Sequence, residues 1–82
     1  MNSYLKISEV KVFDRGDEGE KMEVVVAENH KCDARNHKTR YFVDKELIKK
    51  LTMGAFFSGR KVRFSYTCSG CDDPIVSAIR IK

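Results

Sequence analysis

Apolar and polar residues alternate with a period of two over most of this chain, and switch to a helical period only once. The alternation is cleanest in Arg60–Thr67, where Val62, Phe64 and Tyr66 share one face and Lys61, Arg63 and Ser65 the other. In Met22–Glu28 the residues Met22, Val24 and Val26 are in phase, with Val25 and Ala27 opposite. In Ile75–Lys82 the pattern points Ile75, Ile79 and Ile81 inward and Arg80 outward. The first strand, Tyr4–Phe13, changes parity part-way. Leu5 and Ile7 share one face, whereas Val10 and Val12 fall on the other. One extra residue at Ser8–Glu9, a β-bulge, keeps all four inside and bends the strand, so that it serves both halves of a barrel.

The switch of period lies within Lys38–Leu51. Thr39, Tyr41, Phe42 and Val43 are β-branched or aromatic and read as a strand. Asp44 is placed to cap a helix over Lys45–Met53, with Leu47, Ile48 and Leu51 as its apolar stripe and Gly54 just past its end. Ala55–Gly59 then reads as the exit loop, with Phe56 or Phe57 plugging one end of the barrel. Three polar stretches connect the strands: Asp14–Lys21, a mobile hairpin loop, then Asn29–His37 and Cys68–Pro74.

The resulting order is strand, strand, strand, helix, strand, strand. With a bent first strand and 82 residues, it resembles the OB-fold, a five-stranded Greek-key barrel with its helix between strands three and four. Residues 1–82 are expected to form one such all-β domain. An SH3-like barrel is the main competitor, and the helix after Asp44 argues against it. The chain also resembles small phage-type or plasmid-type single-stranded-DNA-binding proteins, and that resemblance implies a nucleic-acid face on the outer side of strands two and three.

Charge changes the picture moderately. Sixteen basic against 12 acidic residues leave a net charge of +4, concentrated on the presumed third and fourth strands. Single-strand binding needs cations for phosphates and flat rings for bases. Lys38, Arg40 and Phe42 are expected on one outer face, with Tyr41 inside; the opposite assignment, with Tyr41 as the exposed ring, stays open. Phe13 is a second stacking ring, with Lys11 on its parity and Arg15 beyond it, while Arg60, Lys61 and Arg63 add charge from the fourth strand. The expected partner is therefore single-stranded DNA, with RNA not separated from it, and a homodimer would join two short sites. Asp14, Asp17, Glu18 and Glu20 in the first loop would repel phosphate there. They support an alternative, an adaptor that binds another protein through this acidic loop, as a phage or mobile-element accessory factor would.

In a chain expected to stay in the cytoplasm, three cysteines read as reduced thiols or metal ligands rather than a disulfide framework. Cys68-Ser-Gly-Cys71 fits one half of a zinc site, with His30 and Cys32 as the other half and His37 in reserve. Free thiols in surface loops and a redox pair Cys68–Cys71 are the other readings, and no cofactor is required. Both histidines are expected at the surface. No phosphate-binding loop, nucleophile elbow or His-Glu-x-x-His occurs, so an enzyme is not expected. With no apolar run near ~20 residues, no membrane span is expected and the cytoplasm is the expected location.

Overall fold

The computed structural model describes residues 1–14, 16–33, 38–70 and 73–82, with the backbone alone at residue 18. Its strands are β1 (Leu5–Lys6), β2 (Glu9–Asp14), β3 (Glu20–Val25), β4 (Arg40–Val43), β5 (Lys61–Cys68) and β6 (Pro74–Ile81). One helix, α1 (Glu46–Ser58), lies between β4 and β5. The strands form a single sheet in the order β1-β5-β6-β4-β3-β2. All pairings are antiparallel except β4 with β6, which run parallel through Phe42 and Ile75.

The two edge strands of this sheet are consecutive in the chain, separated only by Ile7 and Ser8. A two-residue link cannot span a flat six-stranded sheet, because neighbouring strands lie ~4.8 Å apart. The sheet therefore curls into a half-barrel. The break falls beside the parity change at Ser8–Glu9, and Ser8 N donates to Val25 O (2.8 Å) as the chain crosses from one edge to the other. Val10 and Val12 stand opposite the buried Val24 and Met22. Of the four apolar residues expected inside, Ile7 is buried, Leu5 and Val10 are half-buried, and Val12 is 50 % exposed.

The core consists of Ile7, Met22, Val24, Val26, Tyr41, Val43, Ala55, Val62, Phe64 and Val76. Most of these are the in-phase residues of the strands. The last strand departs from the simple alternation. Ser65 pairs with Ala78 but Tyr66 pairs with Val76, so Ser77 is an extra residue. The bulge lets Pro74 and Val76 face inward together with Ile79 and Ile81, and it turns Ile75 outward, against the expected phase.

The helix is longer than expected. It runs through Gly54 and the AFFS segment to Ser58, and Gly59 closes it at φ 67°, a left-handed conformation that suits glycine. Asp44 does not cap it: the N-cap position is Lys45, with no side-chain cap bond. Its buried residues are Lys49, Thr52 and Ala55, flanked by Ile48, Met53 and Phe56. Leu47 and Leu51 lie outside, and Phe56 rather than Phe57 is the ring that packs on the core. Small side chains at Thr52 and Ala55 let the helix approach the sheet. Lys49 Nζ reaches over to donate to Glu20 O (2.8 Å) and pairs with Glu46 (3.1 Å). The first polar loop closes on a 3-10 turn, Gly16–Glu18, in which Gly16 N donates to Asp14 Oδ1 (2.8 Å).

Candidate functional site

Strand register decides which side chains meet on the outer surface. Phe13 on β2 stands opposite Lys21 on β3, Glu23 on β3 stands between Lys11 and Phe42, and Phe42 on β4 stands opposite Ile75 on β6. Three neighbouring strand pairs thus carry one row of residues onto one face. The row forms a cleft of about 210 Å³ lined by Phe13, Lys21, Phe42, Asp44, Ser69, Asp73 and Ile75. It is smaller than the ~300–1,000 Å³ of a small-molecule pocket, which suits a flat ring lying on the rim better than an enclosed substrate. Two phenyl rings from different strands line it, with Lys21 on the strand between them and Ile75 on the far side of Phe42.

Its charges nearly cancel. Lys11 Nζ lies 5.6 Å from the centre of the Phe13 ring. Arg40 is paired with Glu23 at 3.6 Å. Asp44 and Asp73 line the same cleft as Lys21. Three cations, Lys11, Lys21 and Arg40, face three carboxylates, Glu23, Asp44 and Asp73. The cleft therefore offers stacking more than phosphate attraction.

The sequence-predicted residues divide into three groups. Phe13 and Phe42 line the cleft, with Lys11 beside the Phe13 ring and Arg40 paired to Glu23, the neighbour of Phe42 across the sheet. Arg15 lies outside the described residues. The others are elsewhere. Tyr41 is in the core at 0 % exposure, and its hydroxyl donates to Glu28 O (2.9 Å), so it is not a stacking ring. Burial, and then the nearby Tyr66 and Glu28, push its phenol pKa up, so the ring stays neutral. Lys38 turns back to donate to Cys32 O (2.8 Å). Arg60 sits where the chain leaves the helix, its amide bonded to Ala55 O. Lys61 and Arg63 occupy the far end of β5. Arg63 pairs with Arg80, five residues along β6 from Ile75, which is roughly 17 Å at strand rise. Lys21 and Ile75 were missed by the sequence reading. Alternation from Met22 places Lys21 outside, but nothing in the sequence marks the Ser77 bulge that exposes Ile75.

The cysteines also depart from expectation. Cys32 and Cys68 are joined in a disulfide, with Cα atoms 5.5 Å apart. Their sulfurs are thus bonded to each other rather than available as thiolates, and the expected zinc set loses two ligands. Among the described residues no group of three His, Cys, Asp or Glu side chains is placed to hold a metal. Cys71 and His37 lie outside the described residues. His30 is buried rather than at the surface. It stands edge-on to Tyr41 and Tyr66 at 5.7 and 6.4 Å, and its Nδ1 accepts from Cys32 N (3.2 Å). The topology explains the pairing: the connection after β3 and the end of β5 lie at the same end of the barrel.

No family model, no curated protein and no solved structure matches this chain. Among the described residues no helix is long and apolar enough to cross a membrane.

Proposed function

We propose that this chain is a non-enzymatic OB-type module that binds single-stranded nucleic acid, stacking bases on Phe13 and Phe42. The observation that carries the reading is the convergence of these two rings on one outward cleft, flanked by Lys11, Lys21 and Arg40. Stacking is sequence-tolerant, because every base has a π-face, so little sequence preference is expected. The OB assignment draws support from three features together: a first strand split between two edges, a parallel pairing of the strand before the helix with the last strand, and a helix between β4 and β5. DNA and RNA are both substrates for this chemistry, and a homodimer would strengthen binding by joining two clefts.

The test is fluorescence anisotropy of a labelled poly-dT oligonucleotide of ~8 nucleotides, within the ~4–16 that one such domain covers. Phe13→Ala and Phe42→Ala should each weaken binding roughly ten-fold, since a base–aromatic stack is worth ~1–3 kcal/mol. Undiminished affinity in a folded double variant would remove the cleft as the site. A protein-interaction adaptor is the second reading, and one feature favours it: Leu47 and Phe57 on α1 are 69 % and 77 % exposed. No oligonucleotide binding by the folded protein at low salt would make that reading the leading one.

A further inference from the structure

The protein's positive charge is concentrated away from the cleft. On the outer face of β1, β5 and β6, Lys6 stands opposite Lys61, and Arg63 stands opposite Arg80. Lys82 adjoins Lys61 through its amide, bonded to Lys61 O (2.9 Å). Two rows of cations run across three strands. The rows are one side-chain repeat apart along the strands, roughly 6.7 Å. Tyr4 lies among them, with the Arg63 guanidinium 6.0 Å and the Lys82 ammonium 5.2 Å from its ring centre. Arg63 is further fixed by its Nε donating to Met1 O (3.1 Å), which leaves the outer end of the guanidinium for a ligand.

The composition of the patch identifies the ligand. Among the described residues, no carboxylate forms an ion pair with any of these five cations. Setting them aside leaves 11 basic against 12 acidic residues, so the rest of the chain is slightly negative. Such a surface attracts a polyanion. A protein partner would need anchoring side chains at the centre of its interface, and the one ring here, Tyr4, is already engaged by Arg63 and Lys82. Cations at regular intervals, with two guanidinium forks side by side, match a repeating phosphodiester instead.

We infer that the β1–β5–β6 face is a second nucleic-acid surface, which tracks the phosphate backbone of single-stranded nucleic acid through Lys6, Lys61, Arg63, Arg80 and Lys82. It shares its class of ligand with the cleft but none of its residues. A strand long enough to reach both would stack bases at one and lay its phosphates on the other.

The test is the salt dependence of binding to a labelled poly-dT of about 30 nucleotides, longer than the ~4–16 covered by one domain. Each phosphate contact to a single strand contributes roughly −0.7 to the slope of log K against log salt. The triple variant Lys61→Gln, Arg80→Gln, Lys82→Gln should therefore flatten the slope by about 2, and Arg80→Gln alone by about 0.7. These side chains are exposed, so the fold should persist. The charge-matched control Lys31→Gln, Lys45→Gln, Lys50→Gln removes three exposed cations elsewhere and should leave the slope close to that of the unaltered protein. An unchanged slope in the triple variant, or equal flattening in the control, would overturn the assignment. The two sites fail separately. If Phe13→Ala/Phe42→Ala abolishes binding of the short oligonucleotide while the triple variant keeps its slope, this face is excluded and the cleft stands. If the cleft variant binds normally and the triple variant loses its slope, the cleft is excluded and this face stands. No binding by the unaltered protein at low salt would overturn both.

Discussion

Tyr41 is a polar side chain that serves the core. Its ring packs against Phe64 and Tyr66, at centroid distances of 5.7 and 5.3 Å, and its hydroxyl satisfies the Glu28 carbonyl. Neighbouring Phe42, one position along, points the other way into the cleft, because successive residues of a strand alternate faces. The two rings should therefore respond differently to substitution. Tyr41→Phe keeps the packing and removes one partly buried hydrogen bond, which should cost about 1 kcal/mol in urea unfolding and leave oligonucleotide affinity unchanged. A loss of affinity without a loss of stability would mean that Tyr41 touches the ligand after all. The choice between these two rings was legible in the sequence only as a parity. Val43, leading into the helix, favoured Tyr41 as the inner ring, and burial of both residues on one side of β4 decided it.

Elements carry a second set of consequences. The segment ahead of β1 is tied down at Met1, whose ammonium donates to Phe64 O (2.9 Å) and whose carbonyl accepts from Arg63 Nε (3.1 Å), and by Glu28, which accepts from Asn2 N (2.8 Å) and Ser3 N (3.1 Å). Burial works to raise the Glu28 pKa, but these hydrogen bonds and the nearby N-terminal ammonium outweigh it, so the pKa is lowered. A carboxylate depressed in the folded state stabilises fully above its ordinary value of 4.5, and the contribution is lost as pH falls through the lowered value. On acidification the Asn2 and Ser3 amide resonances should therefore shift together in a transition below the ordinary carboxylate range. Glu28→Gln should abolish that transition. Because Tyr4 follows directly and lies against Arg63 and Lys82, loosening at Asn2 and Ser3 should also disturb the cation patch, with Met1 still bonded to Phe64 and Arg63. The helix shows where element-level reading ran short. Gly54 looked like a terminator, but its φ is unexceptional and the chain continues helically until Gly59, where positive φ is required. A glycine's identity is visible in a sequence; its backbone conformation is not.

At the scale of the whole molecule, the Cys32–Cys68 bridge links the connection after β3 to the end of β5, across a separation of 36 residues. A cross-link of this span falls between the ~3 kcal/mol of a 15-residue loop and the ~4.7 kcal/mol of a 100-residue loop in the chain-entropy account. Reduction should lower stability by about 3–4 kcal/mol, read as an earlier urea midpoint under dithiothreitol. An unmoved midpoint would show that His30, Tyr41 and Tyr66 hold that end without the bridge. Ser69, next to Cys68, lines the cleft, so reduction should also weaken binding at Phe42 more than at the cation patch.

What the sequence determined by itself was the set of local periods. Those placed Met22, Val24, Val26, Val43, Val62 and Phe64 inside, broke the first strand near Ser8, and put a helix after Val43. These are short-range consequences of strand alternation and helical spacing; at Ile75, and at Leu47 and Leu51, the bulge and the seating of the helix set a different face. The tertiary structure alone decided which strands became neighbours. It moved Lys61 and Arg63 away from Phe42, joined Cys32 to Cys68, buried His30, paired Arg40 with Glu23, and used the Ser77 bulge to set Ile75 beside Phe42. Each of these depends on contacts between residues far apart in the chain, and no local period records them.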